Sequence, residues 1–454
     1  MPDFFLVAGA TQLSVALLNV IIPAVAWLTT GIISATTVPA TYFLGPGVVG
    51  ITLATSAFSC FMARNKALDT VVAGIYVFSL LATTYSISSI LMFISVIVRL
   101  ATSNLLNTAV GALIFTLVTI AILCVSMGVA IWVIYTARKM LLKSDSVQSV
   151  DNPDSPPTVA EPTNCLTDRT LAILEMSAGN LLVITPGVAI FFPSIQRLYC
   201  VLPLYAGSLL IASGMMGYDY TTKKRYALML WSFVMTRLSL LLTTVAIAGT
   251  GFYLGITVGS GSTAPTNLAL ISLILLVSIY GFIISIVSLV VTRKRLGIVC
   301  SCNFNVKDME FIFGVTMVVL GVVYAIVAAV GLVLFAARYF TIVGFFVACV
   351  LLLNGELGMD SRDVKHFEIS FVVRSVLSAS FSVECAVLTI VEFIAYLRLN
   401  PSSGLLVRGV AMMATILVFN IATFGIAVAA TVKTGRKHQL CGISSQTGPS
   451  EAES

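Results

Sequence analysis

Residues 109–157 read AVGALIFTLVTIAILCVSMGVAIWVIY and then TARKMLLKSDSVQSVDNPDSPP. The first part, 109–135, is 27 residues long and carries no charge. A helix needs roughly 20 apolar residues to cross a bilayer. Behind Tyr135 the composition changes abruptly. Arg138, Lys139 and Lys143 come first, followed by Ser, Asp and Pro in an order that offers no apolar face. Such a segment reads as a flexible linker. An apolar helix ending on basic residues and running into a polar linker sets the class: an all-α integral membrane protein.

Eleven more stretches of this kind flank it: 4–33, 42–62, 71–98, 170–192, 199–217, 227–254, 267–292, 309–336, 340–358, 369–396 and 405–432. The bulk composition agrees. Only 10% of the chain is charged, against about 25% for a soluble domain, and the mean hydropathy is +1.05. Met1-Pro2-Asp3 places no basic residue before the first apolar run, so that run reads as a membrane span and not as a signal peptide.

The basic residues test the count of twelve. Eighteen of the 25 Lys and Arg fall on one side if both termini face the cytoplasm, including Arg64, Lys66, Lys223, Lys224, Arg225, Lys433 and Arg436. Five fall on the other side: Arg99, Arg197, Arg338, Arg398 and Arg408. Arg237 and Arg374 lie within spans. A bias that alternates loop by loop fits an even helix number with cytoplasmic termini. It does not separate the plasma membrane from an internal membrane.

The polar breaks divide the twelve spans into fours. The expected organisation is a four-helix module over 1–143, a linker over 144–168, a second module over 169–298, a short linker over 299–308, a third module over 309–437 and a tail over 438–454. Self-comparison points to a repeat. Gly214, Gly217, Asp219 and Lys224 recur as Gly355, Gly358, Asp360 and Lys365, each pair 141 apart. At the module starts Glu175 and Gly179 match Glu310 and Gly314, both 135 apart.

The first span holds Gly9-Ala10-Thr11-Gln12-Leu13 and then Leu18-Asn19, and the third span of the middle module ends Ala248-Gly249-Thr250-Gly251. These motifs resemble the membrane-spanning four-domains subfamily A, the family of the B-lymphocyte tetraspan antigen. That resemblance implies oligomer-forming membrane proteins that modulate receptors, signalling or cation conductance, without catalytic residues. The chain departs from it in carrying three modules and in having only Cys200 near the face where the family has loop cysteines.

Several polar residues fall inside the spans. Arg237 and Glu384 sit at similar depth and form a candidate intramembrane pair, because a charge in the bilayer core faces a partner or a water-filled cavity. Arg374 is shallower and reads as a snorkelling side chain. Glu175 and Glu310 read as carboxylates at helix N-termini. Asn19, Asn180, Asn354 and Asn420 are expected to bond across helices. Gly214, Gly217, Gly355 and Gly358 are candidate helix-packing positions, since small residues let helices approach in lipid. Cys300 and Cys302 are palmitoylation candidates.

Nothing in the sequence reads as a nucleotide loop, a zinc-protease helix or a nucleophile elbow, so no enzyme activity, cofactor, metal or nucleic-acid partner is expected. The expected partners are the lipid bilayer and other membrane proteins or a second copy of the chain. The leading functional expectation is a tetraspan-like organiser or modulator of signalling or ion conductance. The alternative is a twelve-helix secondary transporter, although major-facilitator transporters divide as two sixes.

Overall fold

The computed structural model describes residues 2–30, 41–102, 110–143, 165–192, 198–259, 265–296, 309–335, 339–359, 365–398, 403–438 and 440. Twelve α-helices fill these segments: α1 (Pro2–Thr30), α2 (Thr41–Asn65), α3 (Asp69–Thr102), α4 (Val110–Lys143), α5 (Cys165–Ala189), α6 (Leu198–Lys223), α7 (Tyr226–Gly259), α8 (Pro265–Arg295), α9 (Met309–Phe335), α10 (Tyr339–Met359), α11 (Lys365–Arg398) and α12 (Ser403–Lys437). Eleven are long and apolar enough to cross a membrane. The other, α10, has 21 residues, about 31 Å at 1.5 Å per residue, close to the hydrocarbon thickness. The chain is a multi-pass helical membrane protein.

Helices pair their backbone polar groups internally, as lipid requires. Hydroxyls inside the spans return to their own backbone; Ser14, Thr55 and Ser278 each donate to the carbonyl four residues earlier. Asp3, Asp69, Asp168, Glu310 and Glu368 stand in first turns, where the helix dipole favours an acid. Arg64, Lys223, Arg295 and Lys437 stand in last turns. These ends share one face of the bundle, called the basic face below.

Packing follows chain order. Helices α1–α4, α5–α8 and α9–α12 each touch in sequence, and the first of each set also touches the fourth, so every set closes into a ring. The sets meet in a cyclic order. The third helix of one packs on the second helix of the next: α3 on α6, α7 on α10 and α11 on α2. Second and third helices therefore meet at the centre, while first and fourth helices lie outside. Burial agrees for the second helices: 83% of the most apolar stretch of α2 and of α6 is buried, against 28% in α4 and in α12; α7 is also 28% buried over that stretch, because its buried residues concentrate between Ala227 and Ala246.

Side chains fill the axis between the three sets. Phe78 and Tyr85 of α3, Leu238 of α7, Phe346 of α10 and Phe381 of α11 converge there. Tyr205 of α6 bridges Tyr85 and Phe346, with ring centroids 4.8 and 5.5 Å apart. At the basic face the Trp231 indole donates to the Thr70 carbonyl at 2.9 Å, and the Thr70 hydroxyl lies 2.6 Å from His366 Nδ1. Helices α3, α7 and α11 are thus tied together at their N-terminal ends.

Candidate functional site

One polar node recurs in each set, where its first three helices meet. In the first set Gln12 Nε2 donates to Ser79 Oγ at 2.9 Å, and Ser56 Oγ lies 2.9 Å from the same atom. In the second set Ser213 and Thr236 donate to the two oxygens of Glu175, each at 3.0 Å, and lie 2.6 Å from each other. In the third set Asn354 Nδ2 contacts Ser378 Oγ and Met317 Sδ, both at 3.3 Å. The serine pair 56–79 and the Ser–Thr pair 213–236 have the same sequence separation of 23.

The helix approaches around the nodes repeat as well. A Cβ on Gly179 would lie 2.6 Å from the Gly207 carbonyl oxygen, one on Gly50 3.1 Å from that of Ala16, and one on Gly321 3.2 Å from that of Ala348. Seven residues beyond each node the first helix meets the fourth. Asn19 donates to Ser126 at 2.8 Å, Leu182 Cδ1 lies 2.5 Å from where a Cβ on Gly281 would be, and Tyr324 donates to Asn420 at 2.9 Å.

These contacts pair positions of the three sets differently from the sequence match expected at the module starts. Glu175 and Gly179 occupy the places of Met317 and Gly321, 142 residues on, and not those of Glu310 and Gly314, 135 on. Gly314 instead stands opposite Gly355, as Ala172 stands opposite Gly214. Glu175 is also no helix cap. Helix α5 begins at Cys165, so Glu175 lies three turns inside it, 2% exposed. Glu310 does stand in a first turn, where Lys437 reaches it at 3.4 Å.

A narrow crevice leads from the basic face to the Glu175 node. Asp168, Tyr220, Ser232, Ser288, Thr292 and Arg295 line it with Glu175. Asp168 and Arg295 form an ion pair at its mouth. Among the described residues the nodes of the first and third sets carry an amide and a thioether in place of the carboxylate.

Two seams between sets hold charged pairs. Between α4 and α6, Arg138 grips Asp219 with two hydrogen bonds, 2.7 and 2.9 Å, and Tyr76 donates to the same carboxylate at 2.9 Å. Between α7 and α10, Arg237 pairs with Glu356 and lies over the Phe233 ring, 5.3 Å from its centroid. The expected Arg237–Glu384 pair is therefore replaced by Arg237–Glu356. The reason is topological. Helix α11 turns Glu384 toward α2, where the carboxylate occupies the space a side chain at Gly47 would need. Glu384 lines a cavity of about 410 Å³ between α1, α2, α11 and α12, apolar but for this carboxylate, Ser380 and Thr431.

Gly214 packs on Ala172 and Met176, Gly355 on Gly314 and Val318, Gly358 on Phe371, and Gly217 makes ordinary contact with Ala172 and Ser232. Arg374 does not snorkel: it is 1% exposed, and its Nε donates to the Ser370 carbonyl. Asn180 lies on the exposed face of α5. Cys300, Cys302 and the 144–164 part of the linker lie outside the described residues. Glu356, which the sequence reading passed over, carried a visible signal: it is a charge inside the tenth apolar span. Comparison with protein-family models, with curated proteins and with solved structures finds no match for this chain.

Proposed function

We propose that this chain is a non-enzymatic organiser of the membrane, built as three tandem four-helix modules around a pseudo-threefold axis with both termini cytoplasmic. The filled axis carries this reading. Helices α2, α3, α6, α7, α10 and α11 meet there through aromatic and aliphatic side chains, and a carrier of polar solutes needs a polar cavity at the midplane instead. The repeated nodes support a triplicated module: a helix triad recurs with a matched glycine approach, and its second-to-third-helix spacing is 23 residues in the first two sets and 24 in the third.

The lipid-facing first and fourth helices supply the surface for the organiser role. Leu17, Ile114, Leu117, Leu276, Val319 and Val418 are among their exposed apolar residues, and lipid or another membrane protein covers such a face. The resemblance of residues 9–19 and 248–251 to the membrane-spanning four-domains subfamily A points the same way. Modulation of receptors or of conductance by lateral contact is the activity that follows.

The test is flux in proteoliposomes holding the purified chain or its Arg237→Leu variant. The expected result is no solute or ion flux above protein-free vesicles for either protein. A specific flux in the wild type that is lost in Arg237→Leu would establish the transporter instead.

A further inference from the structure

We propose that Glu175 is a proton-binding site, filled by exchange with water at the basic face through the crevice between α5, α6, α7 and α8. Four observations carry this. The side chain is 2% exposed within a membrane helix, where a bare charge is costly. No ion pair among the described residues includes it; the guanidinium that lines the crevice, Arg295, is held by Asp168. The equivalent node in the first module holds Gln12, the neutral isostere of a protonated glutamate, also bonded to the third helix. The third module holds Met317. The site thus accepts neutral groups in two of three copies, and a proton makes the third alike.

The geometry favours a proton over a metal cation. Ser213 Oγ lies 2.6 Å from Thr236 Oγ1, 3.0 Å from Glu175 Oε2 and 3.0 Å from the Ser232 carbonyl. These are hydrogen-bond lengths, and they leave no gap for an ion between the oxygens. Ser288 also bonds the carboxylate. The groups facing Glu175 from its neighbours are Tyr220 of α6, Ser232 and Thr236 of α7, and Ser288 and Arg295 of α8; Asp168 is on its own helix. Only Asp168 and Arg295 among them are charged, and they neutralise each other. Hydronium that enters the crevice gives its proton to a carboxylate oxygen of Glu175 and leaves water.

The test is infrared difference spectroscopy of the protein reconstituted in vesicles, comparing wild type, Glu175→Gln and Glu384→Gln. The expected result is a protonated carboxylic-acid carbonyl band that shifts in heavy water, is lost in Glu175→Gln and is kept in Glu384→Gln. The band fades as pH is raised and ignores added sodium. Loss of the band on adding sodium at fixed pH would overturn the proton in favour of a metal cation. An unchanged acid band in Glu175→Gln, with loss of a carboxylate band instead, would show an ionised Glu175 and overturn the proposal outright. Should Glu175→Gln not fold, Glu175→Met, patterned on Met317, gives the same comparison. Arg295→Gln, which opens the mouth, is expected to speed the heavy-water shift; an unchanged rate overturns the crevice as the route.

Discussion

Gly179→Ala puts the close approach of α5 and α6 to a quantitative test. A Cβ at 179 would meet the Gly207 carbonyl oxygen at 2.6 Å and the Ile211 nitrogen at 2.8 Å. Both obstacles are backbone, so the helices themselves must separate. Overpacking of this kind costs typically 1–3 kcal/mol, and two backbone clashes place it near the top, about 2–3 kcal/mol. Replacing Gly by Ala inside a helix returns about 1 kcal/mol. The net expectation is a loss of about 1–2 kcal/mol, close to tenfold in the unfolding equilibrium. Gly321→Ala, whose nearest neighbours are Leu352 Cγ at 3.0 Å, the Leu352 nitrogen at 3.1 Å and the Ala348 carbonyl oxygen at 3.2 Å, needs shifts of only a few tenths of an ångström and is expected near zero. Gly425→Ala meets nothing within 4 Å and keeps the propensity gain. The assay is dodecyl-sulfate titration in mixed micelles, read by far-UV circular dichroism. Gly179→Ala should unfold at the lowest detergent fraction of the three. A midpoint equal to that of Gly425→Ala would refute the reasoning, because it would mean that the α5–α6 backbones do not touch.

Three further outcomes follow from the seams and the axis. Arg138→Leu strands the Asp219 carboxylate, whose side chain is 3% exposed, with Tyr76 still donating to it; a loss of about 3 kcal/mol is expected, largely recovered in the double variant Arg138→Leu/Asp219→Leu, and a double variant as unstable as the single would count against it. Among single-tryptophan proteins, brominated lipid should quench Trp132, which is 42% exposed on α4, and spare Trp231, which is 0% exposed on the axis; strong quenching of Trp231 would show that lipid enters the centre. Tyr324→Phe removes the hydrogen bond to Asn420 and should lower stability by about 1 kcal/mol, whereas an unchanged midpoint would show that this bond adds nothing to the α9–α12 contact.

What the chain declares in one dimension and what it hides divide along a physical line. Apolar length and basic flanks are local, so twelve helices and their approximate ends could be read directly; the spans expected at 309–336 and 340–358 are Met309–Phe335 and Tyr339–Met359. Which helices meet across the sets is not local. Nothing near Arg237 says that α7 faces α10, so the carboxylate chosen for it by depth alone, Glu384, was the wrong one of two, and Glu356 was passed over.

The register between the modules was hidden for a sharper reason. The two candidate offsets, 135 and 142, differ by seven residues. Seven residues are almost two turns of helix, and the face drifts only about 20° over that length. Hydropathy is therefore nearly the same in either alignment, and Gly179 finds a glycine at both Gly314 and Gly321. Only the partner helix breaks the tie. Gly207 and Ile211, which enclose Gly179, lie 141 residues before Ala348 and Leu352, which enclose Gly321. Once that register is fixed, Glu175 moves from a helix end to the middle of a node shared with Gln12 and Met317. Under the proposed triplication, a seven-residue correction in alignment is thus what turns an ordinary capping acid into the one carboxylate among three matching, otherwise neutral positions.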